Sequence, residues 1–176
     1  YIRDNIKYYF LGDKFNPKTE NYYDEKPNEL KLINIENKIY IRKFGNPEIK
    51  FNKKEKLISI EIKNFNEKVL FNNSKLEGWN IKVFAKDINT FEKINSRIDT
   101  NLLTSLITIK DSQLENLKIY IDGGKHEDSL NIINSSGSID EIYIKNSFQD
   151  AIDFDFSNLR INKIFVNNAG NDCLDT

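Results

Sequence analysis

The chain has little of what pins a fold covalently. It contains one cysteine, Cys173, which excludes an internal disulfide, so the fold must rest on burial and hydrogen bonding. Glycine (7) and proline (3) are too sparse to make many turns, and that duty falls to an abundant asparagine. No apolar run approaches the roughly 20 residues of a membrane-spanning helix. The opening residues, Tyr1-Ile2-Arg3-Asp4-Asn5, also lack the charged-then-apolar order of a signal peptide. Charge of one sign is missing too. With 26 Lys plus Arg against 27 Asp plus Glu, no global positive field favours phosphate backbones, and nucleic acid is not an expected partner.

What is present is strand-forming. Ile, Phe and Tyr supply β-branched and aromatic residues, Asn supplies turns, and the composition points to an all-β chain. The length of 176 residues suits one domain with its own core.

A repeat carries the strongest signal. In Glu127-Asp128-Ser129-Leu130-Asn131, Gln149-Asp150-Ala151-Ile152-Asp153 and Asn171-Asp172-Cys173-Leu174-Asp175 the aspartates recur twice at one interval, 150 − 128 and 172 − 150. A second register, Ile139 to Ile144 against Ile161 to Val166, repeats at the same distance, and Leu117 to Ile121 precedes them. Leucine-rich repeats share this period but need an L-x-x-L-x-L-x-x-N framework that these coils do not show. Helical repeats are excluded by the alternation in Ile152-Asp153-Phe154-Asp155-Phe156, which has the two-residue period of a strand. Short strands separated by Asn, Ser and Gly wind into stacked coils, each burying its apolar side against the next.

Upstream, Leu30 to Ile35, Ile39 to Ile41, Leu57 to Ile62, Val69 to Phe71 and Leu76 to Phe84 read as strands of earlier, less regular coils. Residues 1–28 read as a cap or lead-in, 29–176 as coils, and about 85–103 as a charged excursion, a kind of loop that often carries function. The strand pattern is still running at Thr176, so further coils or a partner are expected there.

From Ser105 to Thr176 the chain resembles the right-handed β-helix repeat proteins of bacteria. Asn134-Ser135-Ser136-Gly137, Asp150 to Asn158 and Gly170 to Asp175 carry the resemblance. It implies an all-β, right-handed parallel β-helix, a solenoid with coils of about 22 residues. That is the superfold of pectin lyases, polygalacturonases, epimerases, phage tailspikes and adhesins. It also implies an extracellular or cell-surface setting. The N-T-D, D-D, G-H-G and R-I-K segments of polygalacturonases are absent, and Arg160-Ile161-Asn162-Lys163 is only an echo of the last. The tryptophan-acid-histidine segment of pectate lyases is absent too.

The expected functions follow from the columns. The leading expectation is a secreted or surface-associated module that binds, or helps process, polysaccharide. The alternatives are a structural or interaction module, and a lyase, hydrolase or epimerase whose site lies partly outside the chain. Strand alternation should send Ile152, Phe154 and Phe156 inward and Asp153 and Asp155 outward. Asp128, Asp150 and Asp172 then form a corner column, each capping its own turn as an Asx motif. Asn131, Asp153 and Asp175 form an outer column with coils about 4.8 Å apart.

Carboxylates at that spacing repel by a few kcal/mol at an effective dielectric near 20. Relief can come from backbone donors, from a raised pKa, or from a hard cation such as Ca²⁺ held by Asp153, Asp155 and Asp175. Asp153 and Asp175 read first as a solvated acidic face, and they are also candidate catalytic carboxylates. Tyr120, Tyr143 and Phe165 should stack on the outside, where sugar, a protein partner, another subunit or the excursion would cover them. Asn146 and Asn168 should form a structural amide ladder. His126, the only histidine, has the pKa of a general base. Its place between Lys125 and Glu127, in a charged turn, favours a surface bystander over that role. Cys173 occupies the small position of Ser129 and Ala151 and is expected to be buried and inert.

Overall fold

Alternating apolar residues give each coil two strand segments that face one another across a shared interior. The computed structural model describes residues 31–85 and 103–175. The lead-in of 1–28 and nearly all of the excursion lie outside the described residues. Among the described residues there are fourteen strands and no helix. They are β1 (Lys31–Ile35), β2 (Ile39–Phe44), β3 (Glu48–Asn52), β4 (Leu57–Glu61), β5 (Lys68–Asn72), β6 (Lys75–Glu77) and β7 (Asn80–Ala85). After the excursion come β8 (Ser105–Lys110), β9 (Gln113–Gly123), β10 (Asp128–Ile133), β11 (Ser136–Lys145), β12 (Asp150–Asp155), β13 (Asn158–Ile161) and β14 (Ile164–Asn167).

The first sheet has the order β1-β2-β5-β8-β10-β12. The second runs β13-β11-β9-β7-β4-β3, with β14 also paired to β11 and β6 to β9. The chain is thus a parallel β-solenoid with ~23-residue coils, as the repeat predicts. Asp128 stands opposite Asp150, and Thr108 opposite Asn131.

The first strands depart from expectation. β1 and β2 pair antiparallel, as do β3 and β4, and β2 lies antiparallel on β5. They are hairpins rather than coils. Glu36 and Asn37, both at positive φ, reverse the chain after β1. Asn52 Oδ1 accepts from the Lys54 and Glu55 N–H groups and tightens the turn after β3.

Two rows illustrate the core. Ile41, Phe71, Ile109 and Ile132 stack on one sheet, and Ile58, Ile81, Ile119 and Ile142 on the other, all essentially sealed from water. Each such side chain contributes roughly 1.5–3 kcal/mol of burial. The rows open at the last rung, where Phe154 is half-buried and Ile164 exposed.

After each strand of the parallel part of the first sheet comes one residue in the left-handed region: Asn73 (φ 51), Asp111 (φ 52), Asn134 (φ 46) and Phe156 (φ 51). Asn and Asp tolerate this backbone and phenylalanine does not. That kink corrects the inward placement of Phe156, which leaves the strand alternation and stands 92% exposed.

The next position is always serine. The N–H groups of Tyr40, Ser74, Ser112 and Ser135 donate to the Oγ atoms of Ser74, Ser112, Ser135 and Ser157, each on the following rung, at 2.9–3.1 Å. A ladder of hydroxyls therefore satisfies buried turn donors that the strand pairing does not reach.

Candidate functional site

Three columns project from this scaffold. The corner column holds Asp128 and Asp150, both buried, and Asp172, exposed. Asp150 Oδ1 accepts from the Asp172 N–H at 2.9 Å and from Asn171 Nδ2 at 2.8 Å. It therefore caps the turn of the following coil rather than its own, because stacking brings that N–H closer than any in its own turn. Ser147 Oγ donates to the Asp150 carbonyl at 2.6 Å and shares a 2.7 Å hydrogen bond with Ser129 Oγ.

Two further expectations at this corner are corrected. His126 is buried, not on the surface, as are Glu127 and Asp128 that follow it into β10. Cys173 is exposed, not buried like Ser129 and Ala151, because no described rung stacks beyond it.

The outer column of the first sheet holds Asn131 and Asp153 in register, with Asp175 bridged to Asp153. Asn131 is buried, although its neighbours Leu130 and Ile132 point the other way into the core. Its Nδ2 donates to Asp153 Oδ2 and Asp155 Oδ2, both at 3.1 Å. The amide thus stands between the two carboxylates where a cation would otherwise neutralise them. Burial pushes the Asp153 carboxyl up to about 6, helped by the charges of Asp155, Asp128 and Asp175. The amide bridge offsets part of the repulsion, and the raised pKa registers what is left. Among the described residues no three His, Cys, Asp or Glu side chains converge as metal ligands.

The outer face of the second sheet carries the aromatic column. Tyr120, Tyr143 and Phe165 are in register on β9, β11 and β14. Phe84 of β7, in register with Asp122 one column aside, packs its ring on Tyr120 and carries the aromatic row to a fourth rung. Ring centroids are 5.6 Å apart for Phe84 and Tyr120, 5.3 Å for Tyr120 and Tyr143, and 6.2 Å for Tyr143 and Phe165.

The two tyrosine rings are within 11° of parallel. At 5.3 Å they are too close to lie side by side in one plane, so the two rings stack face to face with an offset. Phe84 escapes a search at the coil period because the excursion separates it from Tyr120 by much more than one coil.

Below the rings, Asn168 Nδ2 donates to Asn146 Oδ1 at 3.2 Å and Asn146 Nδ2 to the buried Asp122 Oδ1 at 2.9 Å. The amide ladder is structural. Lys82, Lys118, Lys145 and Lys163 frame the rings on the same face. No family model matches this chain, and no curated protein or solved structure matches it either.

Proposed function

We propose that the coils form a non-catalytic module that binds a linear polysaccharide along the outer face of the second sheet, in a secreted or surface-associated protein. The four-rung aromatic row supports this reading. A solenoid repeats the same groups at about 4.8 Å per coil, so a polymer laid along it meets similar chemistry at each step. Weak contacts then add through their shared backbone. The row is half-exposed, and the inner faces of β7, β9 and β11 are fully packed, which makes Phe84, Tyr120 and Tyr143 a rigid platform. The resemblance of the coils to β-helix proteins agrees with such a ligand.

Affinity electrophoresis in gels containing soluble polysaccharides tests the reading. Retardation by at least one, lost in Tyr143→Ala while the circular dichroism spectrum is kept, is the expected result. Unretarded migration through every polysaccharide tried would overturn it.

A second reading, glycan hydrolysis or elimination at Asp153 and Asp175, is favoured by one observation: a carboxyl held up to about 6 beside ionisable neighbours has the profile of a general acid. Release of reducing or unsaturated ends that disappears in Asp153→Asn would support it. No release from any polysaccharide bound in the gels would remove it.

A further inference from the structure

The charges around the aromatic row are not balanced, and this narrows the ligand. Strand register puts Lys82, Tyr120, Tyr143 and Phe165 in one column of the outer face. The next column holds Glu48, Glu61, Phe84, Asp122, Lys145 and Asn167. The column on the other side holds Asn80, Lys118 and Glu141, with Lys163 following Glu141. Lys82, Lys118, Lys145 and Lys163 surround the row; of the four carboxylates in these columns, Glu48, Glu61, Asp122 and Glu141, three are engaged, Glu48 with Lys50 at 2.6 Å and Lys63 at 3.1 Å. Asp122 is buried and its carboxylate is taken up by Asn146 and Tyr120. Glu61 is paired with Lys63 at 3.7 Å. Among the described residues, none of the four lysine side chains makes an ion pair or a hydrogen bond. The chain as a whole carries a formal charge of −1, so this is a local excess rather than a general property.

Ring orientation points the same way. An aromatic quadrupole is negative on its faces and positive at its edge. Tyr120 and Tyr143 each turn one face toward the other, which leaves less ring face for a ligand. A neutral sugar that stacks its C–H face needs an open ring face, and each of these two rings gives up part of one to its neighbour. An oxyanion, by contrast, meets favourable ring edges as well as the lysines.

We propose that the polymer bound on this face is acidic: a linear polysaccharide bearing carboxylate or sulfate groups, drawn in by Lys82, Lys118, Lys145 and Lys163 and seated against the edges of the aromatic row. This rests on the polysaccharide reading above and adds the charge class of the ligand. The opposite face supports the division of labour, since Asp153, Asp155 and Asp175 gather on the first sheet and would repel the same polymer.

Matched polymers on one backbone test the proposal. Carboxymethyl-cellulose and hydroxyethyl-cellulose are titrated into the protein at low and at near-physiological salt, with poly-glutamate as a non-sugar polyanion. The expected result is binding of carboxymethyl-cellulose at least tenfold tighter than the neutral polymer, weakening as salt rises, because exposed charges are screened within about 8 Å at 0.15 M. The surface variant Lys118→Gln/Lys163→Gln, which removes no packed group, should lose at least fivefold on the acidic polymer alone. Equal affinity for both celluloses, unchanged by salt, would overturn the acidic assignment while leaving the polysaccharide reading standing. Poly-glutamate binding as tight as carboxymethyl-cellulose would overturn the sugar component instead, and binding of none of the three would overturn both.

Discussion

Asn131 on one coil donates a 3.1 Å hydrogen bond to Asp153 on the next, and the same amide nitrogen reaches Asp155 at 3.1 Å. Amide–carboxylate pairing across coils recurs elsewhere: Asn134 to Asp111, Asn146 to Asp122, Asn162 to Asp140 and Asn171 to Asp150. A column of aspartates would repel along the whole solenoid. At these positions asparagine replaces a carboxylate–carboxylate contact with a charge-assisted hydrogen bond, whereas Asp128 and Asp150 remain carboxylates in register.

Asp153 retains a residual penalty, and this makes stability depend on pH. Its folded pKa of about 6 lies above the ordinary aspartate value of about 3.9. The folded state therefore binds this proton more tightly than the unfolded state, and the contribution is complete below about pH 4 and lost as pH rises through 6. The difference in unfolding free energy between wild type and Asp153→Asn should shift in favour of the variant between pH 4 and pH 7. Chemical denaturation across that range checks it, and a pH-independent difference would refute the elevated pKa.

Calcium should leave thermal stability unchanged. The Asn131 amide occupies the space between Asp153 and Asp155, and a ligand that binds only the folded state would raise the melting temperature by mass action. Scanning calorimetry with and without millimolar calcium measures this directly. A reproducible rise abolished by Asp155→Asn would restore the metal reading.

Phe156 is held in a left-handed backbone while 92% exposed, so it bears strain without burial to offset it. Replacing it with Asn, the residue of Asn73 and Asn134 in the same column, should stabilise the protein by about 1 kcal/mol. Ile132→Ala, which empties a sealed core position, should cost roughly 2–5 kcal/mol. Urea midpoints compare the two, and opposite signs are expected.

Ser112→Ala should destabilise by about 1–3 kcal/mol, because the buried Ser74 N–H loses its acceptor at 3.1 Å. Ser138→Ala removes the acceptor of the exposed Asn116 N–H and should cost far less, since water replaces it. Equal losses in the two variants would contradict the burial argument.

The repeat is legible because strand alternation and spacing survive in a single sequence: Ile119, Ile142 and Ile164 announce their shared column. The N-terminal hairpins are not, since β1 to β4 carry the same alternation and only Glu36, Asn37 and Asn52 decide whether the chain turns back or winds on. Phe156 misleads because the residue type fits an inward strand position, whereas the column of Asn73, Asp111 and Asn134 demands a left-handed turn. Asn or Asp followed by Ser marks that corner in three of the four coils, and with it the serine ladder. The aromatic column is visible from Tyr120 onward. Its ring orientation, which bears on the ligand, depends on tertiary packing and leaves no trace in composition.

The return of the chain after the excursion has a thermodynamic meaning. Asn72 pairs with Lys110, so the chain closes there over a stretch more than half as long again as the one from Lys110 to its next partner, Ile133. Loop-closure entropy grows only logarithmically, so the longer detour adds about 0.4 kcal/mol to that rung. Length at this point is nearly free for the fold. The segment between β7 and β8 is therefore where foreign sequence, a tag or an additional binding loop, should be accommodated with the least disturbance to the coils on either side.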